Sequence, residues 1–408
     1  MLTDKKRTPV PANLPPIHLF IHTPRGLVPL SSSTAGILLP RGPDPKGPIL
    51  TYGSYLRAIE GFLRRSSNRI LRNTVDQGGR KNAALPGILG IEVASIKHGA
   101  LYHVAHVRVD METGPFSLAL NTAVLPEQQA ALGAEFRLLK RLRTGMGLQH
   151  LPRVHGTGSL VCTDAQGTVL TLKAFLAEWF DGFHEFHWSV PGESVLPAET
   201  LAANHPPLPS FLGLRVWDGT ETGVFLTPGQ IFELYRQAAA LLTDCLDERT
   251  FREISPWHHA AGDFVVGFDD TGLQVRLIAA RGFRRAVPRG TRIRGSGTWI
   301  GLLLFLTTLT IRMRLDRLDG VGPLVWAPPS CVSPVIDGFL DSWRRKVQKD
   351  PGLPYPREIV QVLRRLDQGE WISVVETVLE QSLMEEERSF LLPRTEEHAT
   401  ALIQSLND

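Results

Sequence analysis

The chain is poor in cysteine. Cys162, Cys245 and Cys331 are its only three, scattered through 408 residues. An odd, widely spaced set offers no disulfide framework and suits a reducing compartment. Long apolar runs are also lacking. The longest, residues 299–311, is broken by Thr307, Thr308 and Thr310 and followed by Arg312 and Arg314. It falls short of the roughly 20 apolar residues of a membrane-spanning helix and reads as a buried helix of a globular core. Residues 1–16 are charged and proline-rich, not the apolar core of a secretory leader. An excess of either charge is also lacking: 44 Lys and Arg against 41 Asp and Glu leave a net charge of +3, too small to mark a nucleic-acid protein. No internal repeat and no low-complexity tract is visible. These absences point to a soluble, cytoplasmic protein with no membrane partner, and they argue against a nucleic-acid partner.

The chain does have the means to build a core. Its hydrophobic content is 43% and its charged content 21%, which suits a folded chain of two or three domains or one two-lobed catalytic unit. Residues 1–86 read as an amino-terminal extension. They are rich in Pro, Gly and Ser up to about residue 50, with a strand-like patch at residues 17–21. An amphipathic helix follows at residues 52–75, where Tyr55, Ile59, Phe62, Leu63, Ile70 and Leu71 repeat at helical spacing. From Gly87 the pattern changes to strands. Residues 90–96 and 100–109 read as a hairpin and residues 116–124 as a third strand. Pro126 opens a helix through Lys140, and two strands follow at residues 153–163 and 168–179. Past residue 181 a Pro- and Gly-rich stretch leads to helical segments at residues 231–246, 298–314, 335–346, 356–366 and 371–383.

The most informative stretch is residues 255–283, SPWHHAAGDFVVGFDDTGLQVRLIAARGF. It reads as a polar loop, a strand at residues 264–266, a turn through Asp269 and Gly272, and a strand at residues 273–278. Helix, loop, hairpin, loop resembles the catalytic core of the protein-kinase-like fold, in particular its aminoglycoside and choline phosphotransferase branch. The resemblance spans the chain from about Gly87 to its end. It implies an α+β, two-lobed fold. A five-stranded antiparallel amino-terminal lobe with one helix would occupy residues 87–180, and a mainly helical carboxy-terminal lobe residues 181–408. The branch's catalytic loop, His-Gly-Asp-Leu-His-Pro-Gly-Asn, lies without a gap over Pro256 to Asp263. His258 then takes the catalytic-Asp position, Asp263 takes the metal-binding Asn position, and Ala279 stands where the second metal-binding Asp belongs. The strand-three Lys position falls on Asn121, its Glu partner on Glu135, and only Gly99 marks the phosphate-cradling hairpin tip.

The layout therefore matches while several charged groups do not. The leading expectation is a degenerate kinase, or pseudokinase: a regulatory or scaffolding protein with a protein partner, whose cleft retains room for a nucleotide or an anion. Its alternative is an active, atypical ATP-dependent phosphotransferase in which Asp263 holds Mg²⁺ and His258 or Asp263 acts as base. A third is an interaction module of unrelated α+β fold. The candidate residues are His258 and Asp263 for catalysis, Asp263 for metal, and Asn121, Glu135 and Arg281 for ATP. Residues 281–294 carry Arg281, Arg284, Arg285, Arg289, Arg292 and Arg294, which suits a phosphorylated or anionic ligand. Against these stand plainer readings: Asp263 as a turn cap, His258 and His259 as loop histidines, and the arginines as a solvated loop. His184 and His187 bring no third ligand for zinc, and His103 and His106 point to opposite faces of a strand.

Overall fold

Alternation of apolar and polar residues builds the first half of the molecule. The protein is described by a computed structural model over residues 15–23, 26–40, 47–77, 88–99, 101–191, 212–218, 223–258, 262–287 and 296–408. It divides into two compact units. The first spans residues 1–141 and 152–181, and the second residues 142–151 and 182–408. Strands β1 (Ile17–Thr23), β2 (Gly26–Pro29), β3 (Ile88–His98), β4 (His103–Met111), β5 (Phe116–Ala123), β6 (Val154–Thr163) and β7 (Val169–Glu178) form one sheet. Its order is β2-β1-β3-β4-β5-β7-β6. All neighbours are antiparallel except β1 and β3, which run parallel with Ile17 opposite Ile91.

The expected five strands are present as β3 to β7, in one sheet, with helix α3 (Pro126–Lys140) between the third and fourth in sequence. The sheet nevertheless has seven strands, not five. The apolar patch at residues 17–21 pairs with β3, so the amino-terminal stretch supplies two strands of the sheet.

After the short α1 (Ser32–Ala35), α2 (Tyr52–Gln77) covers one sheet face. Its buried residues Tyr55, Leu56, Ile59, Phe62 and Leu63 meet Val93, Val107, Leu118, Leu160 and Leu176 in one core. The contact is close at β6: a Cβ at Gly158 would lie 2.3 Å from Phe62, so only glycine lets that ring settle on the strand. On the other face Phe175 meets Phe136 of α3, ring centroids 5.9 Å apart. Two histidines close the β3–β4 turn, with His98 and His103 Nδ1 atoms 2.9 Å apart and Tyr52 Oη 3.1 Å from His98 Nε2. Burial lowers both imidazoles to about 4. A shared proton between two neutral rings accounts for that contact. His106, on the other face, lies against Trp179, with ring centroids 4.7 Å apart and planes tilted by 36°.

The second unit opens with a small sheet of β8 (Phe186–Ser189), β9 (Gly213–Val216) and β10 (Val224–Phe225). Helix α4 (Pro228–Cys245) starts at Thr227, whose hydroxyl accepts from Gln230 N while Gln230 reaches back to Thr227 N. Then come β11 (Arg252–Ile254), β12 (Phe264–Asp269), β13 (Gly272–Leu277) and β14 (Phe283–Arg285). Helix α5 (Ser296–Arg314) runs through the core. Strands β15 (Leu315–Arg317) and β16 (Leu324–Trp326) follow, and helices α6 (Val332–Lys349), α7 (Pro356–Leu363), α8 (Gln368–Ser382), α9 (Glu385–Leu391) and α10 (Thr395–Asn407) complete the unit. Among the described residues no helix is long and apolar enough to cross a membrane. Residues 259–261 and 288–295, with His259, Arg289, Arg292 and Arg294, lie outside the described residues.

Candidate functional site

The turn-plus-hairpin reading is realised as β12 and β13, paired from Phe264↔Leu277 to Asp269↔Gly272. Asp269 closes the turn by accepting from Thr271 N at 2.8 Å. The loops before and after this hairpin are tied together. Ser255 N donates to Gly282 O at 3.1 Å, and a Cβ at Gly282 would come within 2.5 Å of Ser255 O. Glycine at 282 is what lets the two loops touch.

Between these loops sits Asp263, 1% exposed. Its backbone carbonyl accepts from Ile278 N at 2.8 Å. Its side-chain Oδ2 accepts from His258 N at 2.8 Å and from the Arg281 guanidinium, with which it forms an ion pair. Three of the five sequence-predicted residues, His258, Asp263 and Arg281, thus meet at one carboxylate. They meet as a structural clasp: Asp263 bonds a backbone N–H of the loop before the hairpin and a cation of the loop after it. Ala279 stands two residues past the end of β13 and offers no carboxylate.

Asn121 and Glu135 belong to the first unit. Asn121 lies on β5 opposite Val104 and Phe175, and Glu135 is buried on α3. Among the described residues no group of three or more His, Cys, Asp and Glu is placed to hold a metal ion.

A second layer of charge surrounds the clasp, and sequence reading missed it. Arg312 of α5 is buried and donates to Trp257 O at 3.3 Å. Burial lowers its pKa, Glu387 and Glu253 oppose that shift, and Arg284 adds to it. His258 Nε2 lies 3.8 Å from Glu387 Oε1 on α9. Glu253, on β11, is buried, and its carboxyl is pushed up to about 7, with Arg312 acting the other way. Nothing in the sequence flags Glu387, more than 120 residues on from Asp263. Glu253 shows only as an acid between Arg252 and Ile254 in a three-residue strand.

Glu253 gives a signed test. Its ordinary carboxyl value is 4.5 and its folded value about 7. The folded state therefore binds the proton more tightly, and stability falls as pH rises from 4.5 to 7, then stays level. Glu253→Gln is expected to leave stability unchanged at pH 4.5 and raise it at pH 8 by about 1–3 kcal/mol, less than the full shift because Arg312 loses a partner. Urea unfolding at both pH values checks this. An equal effect at the two would show that burial has not raised the Glu253 carboxyl.

The histidines weighed for zinc do other work. His184 exchanges backbone bonds with Val266, both at 2.8 Å. His187 is buried with its Nδ1 3.3 Å from Asp316 Oδ1, while Asp316 Oδ2 accepts from Trp188 N at 3.1 Å. Burial opposes the charge on His187, but Asp316 and Glu185 outweigh it and raise its pKa to about 9. The pair pins β8 to β15.

No protein-family model matches the chain, and no curated protein matches it.

Proposed function

We propose that this protein is a degenerate kinase-like protein with a regulatory or scaffolding role, its hairpin loops serving as a structural clasp instead of a phosphoryl-transfer site. Several features support the kinase-like reading. Three strands, a helix and two strands run in that order in the first unit, with β7 inserted between β5 and β6. A helix, a short strand, a hairpin and a short strand follow in the second, and β11 pairs with β14 across the hairpin loops.

The observation that carries the non-catalytic part is the Arg281–Asp263 pair. Phosphoryl transfer rests on positioning and on metal-borne charge. Here the one carboxylate at a metal position already neutralises a guanidinium, Ala279 fills the other, and Asn121 supplies no charge for phosphate. Mg²⁺ would have to share that carboxylate with Arg281 and would find one protein carboxylate there, far from the octahedral set it demands. The active-phosphotransferase alternative meets that obstacle first.

Thermal melting with ATP, GTP and ADP, with and without Mg²⁺ or Mn²⁺, tests the proposal, because a ligand of the native state raises the apparent melting temperature. No metal-dependent rise is expected for the native protein, nor any ATP turnover. Robust turnover lost in Asp263→Ala and retained in His258→Ala would make Asp263 the metal ligand of a working enzyme.

A further inference from the structure

The seven-stranded sheet ends on one side in a guarded edge and on the other in an open one. Open edges are templates for a further strand, and natural sheets blunt them with short strands, proline, bulges or charge. Edge strand β2 is blunted in this way. It is 4 residues long, and beside it Leu30 N donates to Leu19 O at 2.8 Å. Pro29 lies opposite Phe20, one step along that ladder, so its backbone faces away from β1, where it has no N–H to offer.

Edge strand β6 is 10 residues long and reads VHGTGSLVCT, with no proline and no Asp, Glu, Lys or Arg. Asp164 N donates to Thr168 O at 2.9 Å, which makes these two a hydrogen-bonded pair at the end of the β6–β7 ladder. Such pairs alternate with non-bonded ones. Counting back through the register, Cys162, Leu160 and Gly158 bond β7, while Thr163, Val161, Ser159 and Thr157 turn their N–H and C=O outward. Thr171, opposite Val161, fits this phase: its carbonyl accepts from Gln129 Nε2 at 3.0 Å. All four outward residues are exposed, and among the described residues no hydrogen bond reaches their outward backbone groups. The register shift of the strand, between Val154 and Gly156, lies before them.

We propose that β6 is a dimer edge, along which a second copy of this chain lays its own β6 antiparallel about a two-fold axis at Leu160. In that register Thr157 meets the partner's Thr163 and Ser159 meets the partner's Val161, so each outward N–H finds an outward C=O. A two-fold axis supplies that reversed order by itself. Opposed threonines bond through their hydroxyls, and the Val161 side chains of the two copies come together diagonally across the axis. Like charges set opposite each other would forbid self-pairing, and this strand carries none. Helix α2 fits the same joint. It runs from Tyr52, whose hydroxyl lies 3.1 Å from His98 Nε2 on β3, across to Phe62 on Gly158 of β6, and on to Gln77. It therefore leaves its own sheet over this edge, and a sheet continued by the second copy gives it a floor. Gly158 stands two residues from the axis, so the two α2 helices cross the joint about 14 Å apart, clear of the roughly 8–10 Å of packed helices. The inference goes beyond the kinase-like reading and does not rest on it.

Sedimentation equilibrium of the native chain tests it, and a reversible dimer is expected at about 100 µM. Ser159→Pro removes an N–H that β7 does not use, so the strand is kept while the pairing weakens at least about tenfold. Val161→Lys, which brings two like charges together across the axis, should do the same. Leu27→Lys, on the guarded edge, should leave the dimer unchanged. A nitroxide on Val161→Cys should broaden its twin's electron paramagnetic resonance lines in the dimer and not on dilution, and the native cysteines are buried. A native chain that stays monomeric overturns the proposal, even if its edge takes up some other strand. So does a dimer that keeps native strength in Ser159→Pro or Val161→Lys, or one without line broadening. Melting curves of each variant confirm that the fold is kept, and the label on Val161→Cys reads the edge without either disruptive change.

Discussion

Replacing Phe305 by Ala is expected to destabilise the second unit by about 3–5 kcal/mol, the range for deleting a buried aromatic ring. Helix α5 is apolar on nearly every side, as a helix surrounded by protein must be. Phe305 is 2% exposed, with Leu302, Leu306 and Leu309 buried on the same helix and the Phe339 ring 6.1 Å away on α6. The cavity opens where α5 meets α6, so relaxation of one helix alone cannot fill it. Chemical unfolding followed by tryptophan fluorescence measures the loss. A value below about 1 kcal/mol would mean the helix lies on the surface and that the core has been drawn around the wrong element.

Removing Arg314 is expected to cost a comparable amount, about 3–5 kcal/mol for Arg314→Ala, for an electrostatic reason. Its side chain is fully buried and its pKa is lowered by that burial. Every edge of the guanidinium is used. Nε donates to Ala327 O at 2.9 Å, Nη1 meets His398 Nδ1 at 3.0 Å, and Nη2 donates to Glu397 Oε1 at 2.8 Å. The plane lies 4.1 Å from the Trp326 ring centre. Because Arg314 is positive, His398 Nδ1 must accept, which fixes its proton on Nε2 beside Thr310 Oγ1 at 3.2 Å. Burial and Arg314 together keep His398 neutral. Truncation strands the Ala327 carbonyl and frees His398 to protonate. Arg314→Met, which fills the space without charge, is expected to cost less than Arg314→Ala. Equal losses in the two variants would overturn that ranking and show that filling the space contributes nothing.

Much of this architecture was legible in the chain because it depends on local patterns. The hairpin at Asp269 and Gly272 shows in its turn residues, α3 in Pro126 and its spacing, and α5 in an apolar run too short for a membrane. What could not be read are the encounters between distant segments. The pairing of residues 17–21 with β3 needs a partner across a helix and a linker, and a five-residue apolar patch does not name it. Strand β11 is three residues long and shows no alternation. The candidate site was half legible. Aligning the loop singled out His258 and Asp263, and the run of arginines after the hairpin singled out Arg281. Their union at one carboxylate, and the ring of Glu253, Arg312 and Glu387 around them, follows from loop closure over Gly282 and from helices that arrive much later in the chain. His187 shows the same lesson from the other side. Read beside His184 it suggests a metal, yet its partner is Asp316, in a strand after α5.

The parallel pairing of β1 with β3 also sets a waiting time. Ile17 sits opposite Ile91. On a ribosome adding roughly 5–20 residues per second, β1 is complete several seconds before its template has been made. During that interval an apolar strand has only the short β2 as a neighbour and no cover, since α2 also needs the later strands beneath it. The nascent chain is therefore most exposed to mispairing at β1, and a chaperone that gripped β1 and β2 until β3 appeared would protect the whole sheet.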